Sequence, residues 1–327
     1  MNIPRSSCVA GLILTILGAT LSFPARAQAP KRAIAITIDD LPASSAQNMT
    51  ADEILQMTTK LVATLHGQEV PAVGFVNERN LYKIGEVDDR IKALNLWLDN
   101  GFELGNHTFA HTSLNQVPLT AWEEEVIRGE TVTRLLMARH KMQLRYFRYP
   151  YLHTGRDLQT RREAEAFLSA HGYQNAPITM DPWDWMCGPV YEDARKRGDA
   201  DLQKRLAGAY LDYAKAVFEY DEKLSRDLFG YEPAQIILLH ANWLEADHIG
   251  ELLELLRKRG YRMVTLEEAL SDGAYSAPDE YVGGGTGWIN RWAITRGKPP
   301  QDAPAFPQWI ADLANQLRRS APPPASY

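Results

Sequence analysis

The sequence predicts an α/β protein with seven or eight βα units arranged as a TIM-like barrel. Short apolar strand patterns alternate with amphipathic helix patterns along most of the chain. The polar residues that could carry chemistry follow directly after different predicted strands, which is where a barrel assembles its site. An open doubly wound sheet would show the same alternation, but its single crevice would draw fewer strands into one site. The barrel is therefore the favoured architecture.

Residues 1–27 have the pattern of a secretory signal peptide. Arg5 precedes a short apolar run, and Ala25-Arg26-Ala27 provides a small-x-small cleavage site. The apolar run is too short for a membrane span, and no later apolar stretch approaches the length that a transmembrane helix needs. We therefore expect an exported protein, periplasmic or secreted, with no transmembrane segment in the mature chain.

The charge and the cysteine content limit the possible partners and cross-links. The 327 residues contain 35 Lys and Arg against 41 Asp and Glu, which gives a formal net charge of −6. Nucleic acid is therefore not an expected partner, because its binding relies on an excess of cationic side chains. Cys8 would leave with the signal peptide, and Cys187 would then have no disulfide partner. Stability must come from a hydrophobic core, which a single large domain of this length can provide.

The first strand pattern shows how the predicted elements are recognised. Ile34, Ile36 and Ile38 alternate with small or basic residues, which is the period of a half-buried strand. Later apolar runs alternate with helical patterns, and glycines follow two of these helices at positions 101 and 172. Strands are predicted over 32–38, 72–76, 102–104, 146–148 and 176–180, and helices over 52–66, 88–100, 120–140 and 158–171.

A helical insertion is predicted over residues 188–232, before the sixth or seventh strand. Its apolar residues recur every three or four positions, so it forms one helix or a bent pair. Tyr210, Tyr213 and Tyr220 in this stripe could line a saccharide groove, but packing against the barrel is the simpler interpretation. The remaining predictions are strands over 235–239 and 262–266, a helix over 249–259, a barrel domain spanning 28–272, and a C-terminal extension over 273–327 that ends in a disordered tail.

Two carboxylates and two histidines follow separate predicted strands. Asp39 and Asp40 come after the first strand, while His107 and His111 form an HxxxH pattern after the third. Asp40 and the two histidines are an oxygen and two imidazoles, a set suited to a divalent metal with open coordination positions. HxxxH alone is a weak signal, because histidines four residues apart often share one helix face. Their placement at strand ends strengthens the prediction of a metal site.

Five short motifs occur in a fixed order, each at the end of a different predicted strand. They are Thr37-Ile38-Asp39-Asp40, His107-Thr108-Phe109-Ala110-His111, Arg148-Tyr149-Pro150-Tyr151, Asp184-Trp185 and Leu238-Leu239-His240. Together they resemble the motifs of polysaccharide deacetylases with the NodB-type homology domain, carbohydrate esterase family 4. The resemblance covers residues 34–270 and implies a distorted (β/α) barrel, often one strand short of eight.

The resemblance also implies roles for the residues of the first three motifs. Asp39 corresponds to the catalytic base, and Asp40, His107 and His111 correspond to the metal ligands. Arg148 corresponds to the residue that orients the base, although a purely structural ion pair is an alternative. Asp39 could likewise be a second metal ligand. The ligand types suit Zn²⁺ best, with Co²⁺, Ni²⁺ or Mn²⁺ as alternatives.

The remaining matched residues are implied to handle the substrate. The backbone N–H of Tyr151 corresponds to the donor to the oxyanion, and His240 corresponds to the general acid. Asp184 corresponds to the residue that tunes this acid, while Trp185 and Leu238 correspond to the walls of the acetyl pocket. We therefore expect all five side chains or backbone groups at one cleft.

The sequence departs from the family pattern at two positions beside the motifs. Ile38 stands where an aromatic residue is usual, and Leu152 stands where glycine is common. These departures concern the shape of the substrate site more than its chemistry. Near the fourth motif, Asp181 and Asp184 could both be turn formers; we favour Asp184 as the functional carboxylate because it directly precedes the tryptophan.

Three functions are compatible with these residues. The first is metal-dependent removal of N-acetyl groups from an amino-sugar polysaccharide such as peptidoglycan, chitin or an exopolysaccharide. The second keeps the enzyme but changes the substrate to O-acetyl xylan or a small amide or imide. The third is a catalytically silent carbohydrate-binding protein, against which the intact pair of Asp39 and His240 argues. The sequence leaves the polymer, its length and the oligomeric state open.

Overall fold

The computed structural model describes residues 1, 32–299 and 302–320, and its centre is a sheet of seven parallel strands. The predicted signal peptide and the tail beyond residue 320 lie outside the described residues. The strands are β1 (Ala33–Leu41), β2 (Ala72–Val76), β3 (Glu103–Asn106), β4 (Tyr146–Phe147), β5 (Gln174–Asn175), β6 (Gln235–His240) and β7 (Arg262–Val264).

The sheet curls into a barrel whose two edges are connected by the segment after β5. The strand order is β5-β4-β3-β2-β1-β6, and β7 pairs with β1. Ala176 N–H donates to the Phe147 carbonyl at 2.8 Å, while Met180 forms a parallel bridge with Ile237 and accepts a hydrogen bond from Leu238 N–H at 2.9 Å. The predicted α/β barrel, distorted and with seven strands among the described residues, is thus confirmed.

The fifth strand lies earlier than the pattern predicts. The apolar run over 176–180 predicts a strand there, whereas β5 ends at Asn175. Pro177 has no backbone N–H to donate to a ladder, so the run makes only isolated pairs with the neighbouring strands. The short β4 and β5 are therefore the irregular part of the barrel.

The period of two along β1 determines which residues face the barrel interior. Ile34, Ile36 and Ile38 belong to the core between the sheet and the outer helices. Ala35 packs in the second core, inside the barrel, and Asp39 lies four positions further along the same face. Asp39 is therefore placed at the interior end of the central strand.

Eleven α-helices lie in the described residues, and several begin at a side chain that caps the helix. Thr50, Asp157 and Asn242 each accept a hydrogen bond from a backbone N–H in the first turn of the helix that follows. The helices are α1 (Ala51–Gly67), α2 (Val87–Asp99), α3 (Leu119–Arg128), α4 (Thr131–Arg139), α5 (Leu158–Ala170), α6 (Asp184–Lys196), α7 (Ala200–Phe229), α8 (Trp243–Lys258), α9 (Leu266–Leu270), α10 (Trp288–Thr295) and α11 (Gln308–Ser320).

The single helix predicted over 120–140 is two helices, α3 and α4. Gly129 separates them, and a Cβ at this position would lie 2.6 Å from the backbone of Thr108 and Phe109. The break therefore lets the chain approach the loop that follows β3, a contact that the helical period does not reveal.

The helical insertion is a bent pair, α6 and α7, between β5 and β6. Gly198 lies in the turn between the two helices with a φ of 68°. Tyr210 and Tyr213 on α7 are buried, which favours their interpretation as packing residues. Of the helices in the described part of the chain, none combines the length and apolar character needed to cross a membrane.

The C-terminal extension packs on the barrel over most of its described length. Trp288 and Trp292 on α10 are buried in the same core as the interior strand residues. Ile310 and Ala314 on α11 pack against α6 and α7 in a third, smaller core. The extension is therefore part of the same folded body as the barrel.

Candidate active site

A cleft of about 540 Å³ opens at the carboxyl ends of the strands. Most of the residues singled out from the sequence lie around it, and Arg148 and Asp184 are fully buried behind it. The sequence-predicted residues that line the cleft are Asp39, Asp40, His107, His111, Tyr151, Trp185, Leu238 and His240.

Asp39 forms a buried ion pair with Arg148. The Arg148 guanidinium approaches both carboxylate oxygens, at 3.2 and 3.3 Å. Its other nitrogens donate to the Ala176 carbonyl at 2.6 Å and to Thr37 Oγ1 at 2.9 Å. Because every side of the guanidinium is held, the orientation of the Asp39 carboxylate is fixed as well.

The environment of Asp39 is suited to proton transfer. Burial raises the pKa of this carboxyl group to about 6, although the positive charge of Arg148 acts in the opposite direction. A carboxylate with such a pKa accepts a proton more readily than a solvated aspartate, yet is largely ionised at neutral pH. The position therefore favours a general base.

Asp40, His107 and His111 converge with the geometry of a metal site. One ligand atom from each residue lies within 4.8 Å of the others. Asp40 Oδ1 is 3.7 Å from Nε2 of both His107 and His111. These distances allow a single divalent ion to be coordinated between them, and the cleft leaves the remaining coordination positions open to substrate or water.

The protonation of the histidines fits this ligand set. His107 Nδ1 lies 2.7 Å from the Arg148 carbonyl, so it carries the proton and leaves Nε2 available as a ligand. Burial lowers the pKa of both His107 and His111 below that of a solvated imidazole, which keeps the rings neutral. The pKa of Asp40 is also lowered, since the neighbouring histidines outweigh the effect of its burial.

Residues of the site adopt left-handed backbone conformations that are uncommon outside glycine. Asp40 has a φ of 64°, and Thr108 and His111 have φ values of 60° and 57°. Such conformations cost free energy and persist where the surrounding structure holds them. They turn the candidate metal ligands at the end of β1 and in the loop after β3 toward one point.

His240 is held by Asp184 on the side of the cleft next to Asp39. The two residues Asp39 and His240 are register partners across β1 and β6. Asp184 Oδ1 lies 2.8 Å from His240 Nδ1, while its Oδ2 accepts hydrogen bonds from the backbone N–H of His240 and from Asn242 Nδ2, both at 2.8 Å. With Nδ1 bound to Asp184, Nε2 is left for the substrate.

Burial alone would lower the pKa of His240, but the negative charges around it prevail. Asp184, and to a smaller degree Asp40 and Asp39, raise this pKa to about 10. The imidazole is therefore protonated at neutral pH and can donate a proton. A carboxylate with a fixed partner and a protonated imidazole thus face the same cleft, which is the arrangement that acid–base hydrolysis needs.

Exposed aromatic side chains surround the mouth of the cleft. Tyr151 is 53% exposed and Trp185 is 40% exposed, while Leu238 on β6 lines the cleft and is buried. Trp183 is 38% exposed, and its ring centre lies 5.8 Å from that of Trp185. These rings offer apolar faces on which a sugar ring could stack.

The sequence did not single out several further residues of the cleft. Asn242 was missed although it both caps α8 and holds Asp184. Ser45 and Glu192 form a hydrogen bond of 2.6 Å on the wall provided by the insertion, and Gly285 of the C-terminal extension lines the opposite part. Asn242 precedes Glu245 by three residues, which is a local N-cap pattern, whereas Ser45, Glu192 and Gly285 reach the cleft only through the tertiary fold.

Asp181 allows a test of the electrostatics of the cleft. Burial raises the pKa of this carboxyl group to about 7, and its Oδ1 accepts a hydrogen bond from Trp183 N–H at 3.0 Å. Since the pKa in the folded protein exceeds that of an unfolded aspartate, its contribution to stability is present below pH 4 and is lost as the pH rises through 7.

We therefore expect Asp181→Asn to stabilise the metal-free protein, compared with wild type, more at pH 8 than at pH 5. The asparagine keeps the oxygen acceptor for the Trp183 N–H. The free energy of unfolding gained by the variant over wild type should be about 1–2 kcal/mol larger at pH 8 than at pH 5, as the side chain retains some contact with water. Urea unfolding at both pH values measures this difference. A stability difference between variant and wild type that is the same at both pH values would contradict the raised pKa.

Comparisons with known proteins give a family match over part of the chain and a shared fold. Residues 26–174 match the family model described as polysaccharide deacetylase. Among solved structures, the chitin deacetylase of the fungal pathogen Colletotrichum lindemuthianum is similar, with 23% identity, a TM-score of 0.50, and 73% of this chain and 88% of that chain covered. A mutant of BA3943, a CE4 family pseudoenzyme from Bacillus anthracis, gives 16% identity and a TM-score of 0.50 over 74% of this chain and 68% of that chain.

At these identities the solved structures establish a shared fold only. A search of curated proteins found no match. The resemblance to carbohydrate esterase family 4 that the five motifs carry is confirmed by the family match, which extends through the third motif.

Proposed function

Since residues 26–174 match the family model of polysaccharide deacetylases, we propose that this protein is a metal-dependent hydrolase that removes N-acetyl groups from an amino-sugar polysaccharide. The proposal rests on three groups of residues that meet at one cleft. They are the pair Arg148 and Asp39, the pair Asp184 and His240, and the three potential metal ligands. Peptidoglycan, a chitin-like polymer and an exopolysaccharide are the candidate substrates.

Amide hydrolysis requires three kinds of assistance. Water is a weak nucleophile, the amide carbonyl is a weak electrophile, and an amine leaves only when its nitrogen is protonated. A site for this reaction must therefore activate water, stabilise an oxyanion and supply a proton. The cleft contains a separate group for each task.

The potential ligands Asp40, His107 and His111 fit a divalent metal, since two neutral imidazoles and an ionised carboxylate lie at suitable separations. When bound, such an ion supplies Lewis-acid activation of water and of the acyl carbonyl group. We propose Zn²⁺ as the natural ion because it accepts nitrogen and oxygen ligands in this number, with Co²⁺, Ni²⁺ or Mn²⁺ as alternatives.

Asp39 takes the proton from the attacking water in this proposal. Its raised pKa makes it a competent base, and the hydrogen bonds of Arg148 keep the carboxylate facing the cleft. Arg148 also favours the ionised form of Asp39 before the reaction. The pair thus combines basicity with a fixed orientation.

His240 donates a proton to the departing amine nitrogen in this proposal. Asp184 holds the ring through Nδ1, so the proton is delivered from Nε2. The backbone N–H of Tyr151 is proposed to donate to the oxyanion, and the side chains of Trp185 and Leu238 to enclose the acetyl group. Each step then uses one group of the cleft.

The alternative functions differ in what they require of these groups. An O-acetyl xylan esterase or a small-molecule amidohydrolase would use the same base and metal ligands with a different substrate. A silent carbohydrate-binding protein would need neither the Arg148–Asp39 pair nor the Asp184–His240 pair, and both are intact. The predicted signal peptide further suggests that the protein is exported, where such polymers occur.

Acetate release tests the proposal. Protein lacking residues 1–27 is loaded with Zn²⁺ or Co²⁺ and incubated with acetylated chito-oligomers, peptidoglycan and acetylated xylan, with a chelated sample as the control. Metal-dependent release from an N-acetylated glycan is the expected result. Release from xylan alone would favour the O-acetyl xylan esterase. No release by metal-loaded protein from any of the three would favour a small-molecule amidohydrolase or a carbohydrate-binding protein.

A further inference from the structure

The loop that follows β4 has a backbone that needs support. Tyr151 and Leu152, two successive residues without the freedom of glycine, have φ values of 57° and 56°. The backbone N–H of Tyr151 is the group proposed above to donate a hydrogen bond to the oxyanion. Because left-handed conformations of such residues are unfavourable, contacts from outside the loop must hold this peptide in place.

Those contacts come from the C-terminal extension. Arg291 on α10 is 0% exposed, and one of its guanidinium nitrogens donates to the Leu152 carbonyl. The same side chain donates to Thr154 Oγ1 at 3.1 Å and, through Nε, to the Thr286 carbonyl at 2.9 Å. The guanidinium carbon also lies 3.9 Å from the centre of the Trp288 ring. The buried guanidinium of Arg291 therefore links the loop to the extension.

A second contact places the extension directly against Tyr151. Gly285 lines the cleft, and a Cβ at this position would overlap the Tyr151 carbonyl oxygen. No such neighbour exists at Gly284, where a Cβ would have no atom within 4 Å. The close approach thus needs glycine at position 285 and not at its neighbour.

The extension is itself anchored to the barrel. Asp279 accepts a hydrogen bond from Arg161 of α5 at 2.8 Å, and its carboxylate lies 3.8 Å from Arg291. Arg161 also donates to the Tyr281 carbonyl at 3.2 Å. The Asp279 carboxylate, which lies near both Arg161 and Arg291, therefore fixes the extension in the position from which Arg291 reaches the loop.

We infer that Arg291 is a positioning residue for the deacetylation reaction, holding the backbone of residues 150–152 in the conformation that presents the Tyr151 N–H to the oxyanion. The inference rests on the proposed function. It gives the C-terminal extension, which lies outside the residues that match the family, a part in the active site. It also supplies a reason why leucine is tolerated at position 152, where the family commonly has glycine.

The first test replaces Arg291 with methionine and compares it with Arg296→Met. Arg296 lies on the same helix but donates to the Leu228 carbonyl, away from the loop. We expect kcat of Arg291→Met to fall 10- to 100-fold with KM changed less than threefold, because an oxyanion contact acts in the transition state. Binding of a tetrahedral phosphonate analogue should weaken by the same factor. Arg291→Lys, which keeps the charge and one donor, should recover part of the loss, whereas Arg296→Met should keep the wild-type kcat.

The second test uses the glycine pair, whose folding risk is smaller. Gly285→Ala displaces the Tyr151 carbonyl, so we expect kcat to fall at least tenfold. Gly284→Ala should leave kcat unchanged. Equal activity of these two variants would overturn the inference, as would wild-type kcat in Arg291→Met.

Hydrogen exchange separates this inference from the proposed function, because it needs no substrate. Amides of residues 149–155 should exchange faster in Arg291→Met than in wild type or in Arg296→Met. If the wild-type protein releases no acetate from any substrate while this difference is present, the proposed function fails and the bracing of the loop stands. If acetate is released but exchange in the loop is the same in all three proteins, the inference fails alone.

Discussion

Replacing Asp39 with asparagine is expected to reduce kcat for N-acetyl hydrolysis by about 10²- to 10⁴-fold while one equivalent of metal stays bound. Asparagine keeps the size of the side chain and an oxygen acceptor for Arg148, but it cannot take a proton from water. The buried position and the raised pKa of Asp39 are the features that this substitution removes. Acetate release measures kcat, and metal analysis of the desalted protein gives the occupancy.

The metal measurement distinguishes the two possible roles of Asp39. His107 Nε2 lies 3.6 Å from Asp39 Oδ2, so a second ligand position is geometrically conceivable. If Asp39→Asn loses both metal and activity, Asp39 is a ligand, and the base must be sought elsewhere. Asp89→Asn, which alters an exposed carboxylate on α2, controls for a general effect of lost charge. Near-wild-type kcat in Asp39→Asn would contradict the assignment of the base.

Replacing His240 with alanine is expected to have an effect that depends on the leaving group. Hydrolysis of an N-acetyl amide should slow by about 10²- to 10⁴-fold, because His240 is the proposed proton donor to the amine nitrogen. Hydrolysis of 4-nitrophenyl acetate should fall less than tenfold, since nitrophenolate leaves without protonation. Parallel rates on both substrates, with metal content as a check, measure this contrast.

A histidine far from the cleft provides the matched control. His171 follows α5, is exposed and contacts the Phe167 carbonyl, so His171→Ala should not change either rate. An equal loss on amide and activated ester in His240→Ala would show that His240 binds the substrate or stabilises the oxyanion instead of protonating the leaving nitrogen.

Local patterns in the sequence were sufficient to predict the barrel and the groups around its mouth. The alternation of Ile34, Ile36 and Ile38 located β1, and the polar residues directly after the strands located the cleft. This works because parallel strands bring their carboxyl ends to one rim, so residues distant in sequence meet without further information. The roles of individual groups came from the family resemblance and stay predictions.

The parts that could not be predicted depend on contacts between distant segments. The displacement of β5 follows from Pro177, and the break between α3 and α4 follows from the approach of Gly129 to the loop after β3. Arg291 and Gly285 reach the cleft only after the extension has packed on the barrel, and no periodic pattern marks them. The pKa of His240 likewise depends on its burial and on carboxylates from α6 and β1.

The proposed reaction requires one metal ion held by Asp40, His107 and His111. Chelator-treated protein is titrated with Zn²⁺ while acetate release from an acetylated chito-oligomer is followed, and His111→Ala is titrated in parallel. The rate should rise in proportion to added metal and level off at one equivalent per chain, and the variant should need a large excess of metal. Full activity of the metal-free protein, or the same one-equivalent titration curve for His111→Ala, would contradict the proposed site.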